Sequence, residues 1–120
     1  MAALPRAGDV IWVELDPVLG TEQAGRRPAL VLSDEPYHAV STRAVICPIS
    51  NRGRGWPFEV PLPPEMKTKG VVLVDQVRAV HQASRLFAFV EAVPASVLAE
   101  VRGRLAGLVG IKLMEDQDPR

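Results

Sequence analysis

The side chains in this chain best suited to chemistry lie in two short stretches. The first, "GTEQAGRRPALVLS" from Gly20 to Ser33, holds Glu22, Arg26 and Arg27 directly before an apolar run. The second, "SNRGRGWP" from Ser50 to Pro57, holds Asn51, Arg52, Arg54 and Trp56. A guanidinium offers a planar fork of donors that matches a phosphate bidentately. Pro28 biases Arg27 toward an extended backbone, which orients its side chain reproducibly. Trp56 offers a flat face on which an unpaired base can stack. If the two stretches meet at one end of the fold, they form a basic, aromatic-edged cleft for an anionic chain. Each residue also has a plainer reading. Arg26 can be an ordinary surface charge, Arg27 can pair with Glu22 to pin the loop, and Trp56 can plug the end of a barrel. Asp75 and Gln76 read as a turn between apolar runs or as a ligand contact. Arg78 can face the same cleft, a point strand alternation leaves open. His38 and His81 read as structural or surface residues.

Other chemistry finds little support. The two histidines and the single cysteine form no metal-ligand spacing, so no metal and no cofactor is expected. There is no phosphate-binding glycine loop and no nucleophile elbow. Formal net charge is zero, which argues against a protein that coats nucleic acid through bulk charge. The charge is uneven, however. Between residues 26 and 69, seven bases (Arg26, Arg27, Arg43, Arg52, Arg54, Lys67, Lys69) outnumber four acids (Asp34, Glu35, Glu59, Glu65). An anion would bind in that middle section, although any single lysine there reads first as solvated surface. Cys47 has no partner for an internal disulfide. The N-terminus has no long apolar stretch and no window reaches membrane-spanning length, so a soluble cytoplasmic protein is expected.

The elements that must position these residues are mostly strands. "DVIWVELD" predicts a strand over 9–15, "PALVLS" a buried one near 29–33, and "RAVICPIS" a third near 43–49. The long segment between the first two carries turn chemistry, and a loop of that length in a small domain is often functional. "DEPYHAVS" holds a helical turn. "FEVPLP" alternates, but Pro61, Pro63 and Pro64 confine it to an edge. "KTKGVVLVD", "QVRAVH" and "RLFAFVEAV" add further strands. From Pro94 the apolar period becomes helical, at Val97, Leu98, Val101, Leu105, Leu108 and Val109. With no helical crossovers between strands, the sheet should be antiparallel. The 120 residues therefore predict one domain, mainly β with a C-terminal helix: a small, mostly antiparallel barrel with short helices.

These motifs together resemble the MazF/PemK toxin family. "GDVIWVELDPVLGTEQAGRRPALVLS" is similar to that family's opening strand, loop and strand, "ICPISNRGRGWPFEV" to its second loop, and "GVVLVDQVRAV" to its later strand pair. The resemblance covers most of Gly8 to His81 and implies an SH3-like barrel of the CcdB/MazF type, usually a homodimer. It implies the toxin of a type II toxin–antitoxin pair: a metal-independent endoribonuclease cutting single-stranded RNA, restrained by a MazE-like antitoxin. The family's catalytic arginine falls on Arg27 and its catalytic threonine on Ser50, where serine keeps the hydroxyl but loses the methyl that restricts χ1. Glu22 matches the loop acid. Arg26, Asn51, Arg52, Arg54, Trp56, Gln76 and Arg78 are the RNA-binding candidates. The same barrel also serves gyrase-poisoning toxins, so a protein-binding inhibitor and an inactive relative are the alternatives.

Overall fold

The computed structural model describes residues 4–15 and 25–112. Its centre is a pair of antiparallel strands, β1 (Asp9–Leu15) and β2 (Gly25–Val31), in register from Val10–Leu30 to Leu15–Gly25. β2 begins earlier than the apolar run implies. Arg26, Arg27 and Pro28 lie within the strand, not in a loop leading to it. Proline is tolerated at 28 because only β1 pairs with β2 there: β3 (Arg43–Ser50) meets β2 solely at Ala29–Pro48, Leu30–Cys47 and Val31–Ile46. Position 28 is therefore a local edge, where a missing N–H costs no ladder bond.

Between β2 and β3, a short helix α1 (Glu35–Val40) supplies the helical turn read at 34–41. Beyond β3, a loop leads to β4 (Glu59–Pro61), and a second loop leads to β5 (Val71–Leu73). A 3₁₀ turn (Val74–Gln76) then separates β5 from β6 (Arg78–His81). Both β5 and β6 run antiparallel to β3, β6 through Arg43–His81 to Ile46–Arg78 and β5 through Ile49–Val72 and Ser50–Val71. The register slips by three residues between them, the length of the turn that holds Asp75 and Gln76. Asp75 and Gln76 do lie in a turn. A second short helix, α2 (Gln82–Arg85), leads into β7 (Leu86–Ala92), which pairs with β1.

The sheet order is β4-β5-β3-β2-β1-β7, with β6 also on β3, and every pairing is antiparallel. The two outer strands, β4 and β7, do not meet. The mainly antiparallel sheet with a C-terminal helix is as read from the sequence, but it is open, so "barrel" describes it loosely. "FEVPLP" contributes only three strand residues, because its prolines remove ladder donors.

α3 (Ala95–Leu108) packs on one face of the sheet. Val97 and Val101 join Val10, Leu30, Cys47, Ile49, Val60, Val72 and Val74 in one core cluster. Ile11, Val13, Leu15, Ala29, Val31, Ile46 and Val80 form a second on the opposite face. Each buried Val, Leu or Ile among them contributes about 1.5–3 kcal/mol by leaving water. Leu108 and Val109, apolar by helical spacing, are instead exposed, since the helix ends there. Gly110 (φ +80°) closes it: Ile111 N–H donates to Ala106 O and Gly110 N–H to Gly107 O, a full Schellman motif. No helix among the described residues is long and apolar enough to cross a membrane.

Candidate active site

The β2–β3 pairing ends at Ala29–Pro48. Arg27 and Ser50 lie two residues beyond that last pair, where the two strands part. Alternation puts both on the sheet face of Ala29, Val31 and Ile46. The sheet therefore brings these two residues from distant parts of the chain to the same end.

Arg27 also lines a cleft of about 370 Å³ with Trp12, Pro28, Ile49, Asn51, Lys67, Thr68, Lys69 and Val90. Ser50, between the lining residues Ile49 and Asn51 in sequence, is only 4% exposed. Its Oγ accepts the Arg52 N–H at 3.1 Å. With that lone pair engaged, the hydroxyl proton remains available to donate elsewhere. Enclosure and this bond fix the serine rotamer, a restraint that threonine would derive from its methyl. Gly70 supports the same corner. Its φ is +120°, and a Cβ there would lie 2.2 Å from Ser50 O, so only glycine lets the start of β5 approach β3 this closely.

The other sequence candidates are dispersed. Arg26 is on the opposite side of β2 from Arg27, with its Nε 4.0 Å from Glu14. Asn51 is exposed and lines the cleft with Arg27. Arg52 and Arg54 are exposed, and the Arg54 guanidinium sits 5.5 Å from the Trp56 ring centre. Trp56 is not in the Arg27 cleft. It meets Phe58 edge-on and lines a separate hollow with Gly53, Gly55, Pro57, Glu59, Pro61, Val71 and Arg104. The expected single cleft is thus divided in two, because the second loop folds back onto its own hairpin. Buried Glu59 holds it there: its carboxylate accepts the Arg54 N–H at 2.8 and 3.0 Å and the Gly55 N–H at 2.8 Å. Gln76, in the 3₁₀ turn, and Arg78, on β6, are half-buried. Glu22, and with it the Glu22–Arg27 pairing, falls outside the described residues.

Sequence reasoning missed Trp12, Thr68 and the two lysines as cleft residues. Trp12 left a trace, as the exposed residue between buried Ile11 and Val13. Lys67 and Lys69 were visible only as part of a basic section. Elsewhere, His38 is structural. It is buried, and its Nδ1–H must donate to Pro5 O (2.7 Å), so Nε2 accepts from the Ser33 hydroxyl (2.7 Å). Burial pushes the Cys47 thiol up to about 12, and the Asp75 charge adds to the effect, so it is no nucleophile. Among the described residues no three His, Cys, Asp or Glu side chains gather as a metal site.

The molecule is thus a small open antiparallel sheet with a strand-borne arginine, a buried hydroxyl and a lysine-rimmed cleft at one end. The chain belongs to the family of PemK-like, MazF-like toxins of type II toxin–antitoxin systems, whose model matches residues 6–109. It is 42% identical to the endoribonuclease toxin MazF of Escherichia coli (strain K12) over 82 residues, 68% of this chain and 73% of that one. The structure is similar to that of MazF from Deinococcus radiodurans, with TM-score 0.85 and 45% identity over 90% of this chain and 98% of that one. A MazE–MazF structure from the same organism matches with TM-score 0.78 and 41% identity, over 91% and 98% of the two chains.

Proposed function

We propose that this chain, as one toxin domain, is an endoribonuclease that cuts single-stranded RNA and is held inactive by a MazE-like antitoxin. The cleft that Arg27 lines with Asn51, Lys67 and Lys69 carries this reading. The relatives named as endoribonucleases and the MazE-bound neighbour support it.

RNA supplies its own nucleophile. The 2′-OH gives its proton to water and attacks the adjacent phosphorus, the P–O5′ bond breaks, the leaving 5′-oxygen takes a proton from water, and the products are a 2′,3′-cyclic phosphate and a 5′-OH. Arg27 stabilises the charge that builds on the non-bridging oxygens, and the Ser50 hydroxyl donates a second hydrogen bond to them. A guanidinium stays protonated near neutral pH, so Arg27 acts through charge, not as a base. Asn51 holds the RNA at the cleft wall. Trp56 and Arg54 stack on the flanking nucleotides. Arg26, Arg52, Gln76 and Arg78 complete the RNA-binding set, and Glu22 is the loop acid that the family resemblance assigns. The antitoxin acts by covering the cleft with an acidic segment, and the toxin works as a homodimer in the cytoplasm.

Incubating the purified protein with a long single-stranded RNA in EDTA tests the reading. Cleavage at a short recurring sequence, with cyclic-phosphate ends, is expected. A substrate with deoxyribose at the scissile position should stay intact, and cutting of that substrate would refute the mechanism.

A further inference from the structure

The loop between β4 and β5, residues 62–70, has no assigned role, yet it supplies a third of the cleft wall. Leu62 N–H donates to Gly70 O at 2.9 Å and closes its base. Leu62 and Met66 are buried and anchor it in the core. Its tip is then tied to β7 by one side chain. Glu91 accepts the Thr68 N–H at 2.6 Å, the Thr68 hydroxyl at 2.7 Å and the Lys67 N–H at 3.2 Å. Thr68 is therefore turned inward and buried. Its two neighbours, Lys67 and Lys69, are exposed, and both line the cleft. Lys69 Nζ donates to Pro64 O at 2.6 Å, which uses one of its three donors and pre-positions the other two.

We infer that Lys67 and Lys69 form a backbone rail for the RNA strand leaving Arg27, and that Glu91 is the positioning residue that holds this rail in place. The inference deepens the ribonuclease reading and rests on it. An ammonium is a point charge without the planar fork that reads a base edge. The rail therefore binds phosphates on any sequence, while sequence selection belongs elsewhere in the site. The carboxylate's role is counter-intuitive on charge alone. An acid near a phosphate path weakens binding, so Glu91 is useful there only through the three bonds it accepts from the loop.

Binding of an uncleavable single-stranded oligonucleotide, with deoxyribose at the scissile position, tests this across a salt series. Each phosphate contact to a single strand steepens the plot of log affinity against log salt by about 0.7. The double variant Lys67→Ala/Lys69→Ala should flatten that slope by about 1.4, with the loss of cleavage falling on KM more than on kcat. Lys67→Arg/Lys69→Arg should restore the slope. Glu91→Gln should weaken binding and flatten the slope in part. Simple removal of a negative charge predicts the reverse, tighter binding. A slope unchanged in the lysine variant, or tighter binding by Glu91→Gln, overturns the inference. If wild-type protein binds with the lysine-dependent slope but cuts no RNA, the nuclease reading fails and the rail stands.

Discussion

The two loops that flank the cleft are built on one plan and differ in where the plan is anchored. In each, a glutamate accepts several hydrogen bonds from the loop's backbone. Glu59 ties down residues 54 and 55 from the strand that immediately follows. Glu91 ties down residues 67 and 68 from β7, 23 or 24 residues away. The first tie is buried and shapes its hairpin from within. The second is half-exposed and clamps one part of the fold onto another. The local tie presents Arg54 and Trp56 over a separate hollow, whereas the long-range tie presents lysines to the cleft that holds Arg27. Neither loop supplies the proposed catalytic groups. Those come from β2 and β3, whose cores are packed, consistent with chemistry needing tighter placement than strand-tracking does.

The hardest blow to this division of labour is aimed at the strands. Arg27→Ala should lower kcat by about 10²–10³-fold, the usual cost of removing a transition-state donor, while the thermal midpoint stays near wild type. Near-normal cleavage would mean that the loops, not the strands, carry the chemistry. Next in size is the point where the second loop meets the first. Gly70→Ala would force a Cβ to 2.2 Å from Ser50 O at φ +120°. A cost of roughly 3 kcal/mol in urea unfolding is expected from the clash and strain combined. A change below about 0.5 kcal/mol would show that the close approach of β5 to β3 is not needed.

The local tie ranks third. Glu59→Ala leaves the Arg54 and Gly55 N–H groups without their acceptor and should destabilise the fold by about 2 kcal/mol. Arg27-dependent kcat should be largely retained, because the cleft and the second hollow share no lining residue. An equal fall in kcat and stability would join the two hollows into one site and erase the distinction.

The same contrast accounts for what was legible in the sequence. Strand positions followed from period and β-branched content, and the helix from its change of period, since both are local signals. β2 was underestimated at its start because Pro28 reads as a breaker; only the departure of β3, a tertiary fact, makes it a tolerated edge residue. Ser50 was found through family resemblance, and nothing in its spacing from Arg27 foretold that both lie where β2 and β3 part. The separation of Trp56 from the cleft was illegible, because Glu59 gives no sign in the sequence that it folds the loop back. Glu91 was still less visible: its partners are remote in the chain, and a lone acid in an apolar strand reads as solvated surface.

The smallest expected effect distinguishes the long-range tie most cleanly. The Thr68 hydroxyl bond holds the Glu91 carboxyl below its ordinary value of 4.5, helped by the Thr68 and Lys67 N–H groups and the Lys67 charge and opposed by burial. A lowered folded-state value means that the charged form is favoured by folding. The tie's contribution is therefore fully present above about 4.5 and is lost as pH falls through the lower folded value. Thermal midpoints of wild type and Glu91→Gln should differ modestly at neutral pH and converge in acid. RNA affinity should follow the same course, since acid frees the loop that carries Lys67 and Lys69. A constant difference between the two midpoints from neutral pH to pH about 3 would mean that the carboxylate's charge does not hold the loop, and the two ties would then be alike in kind.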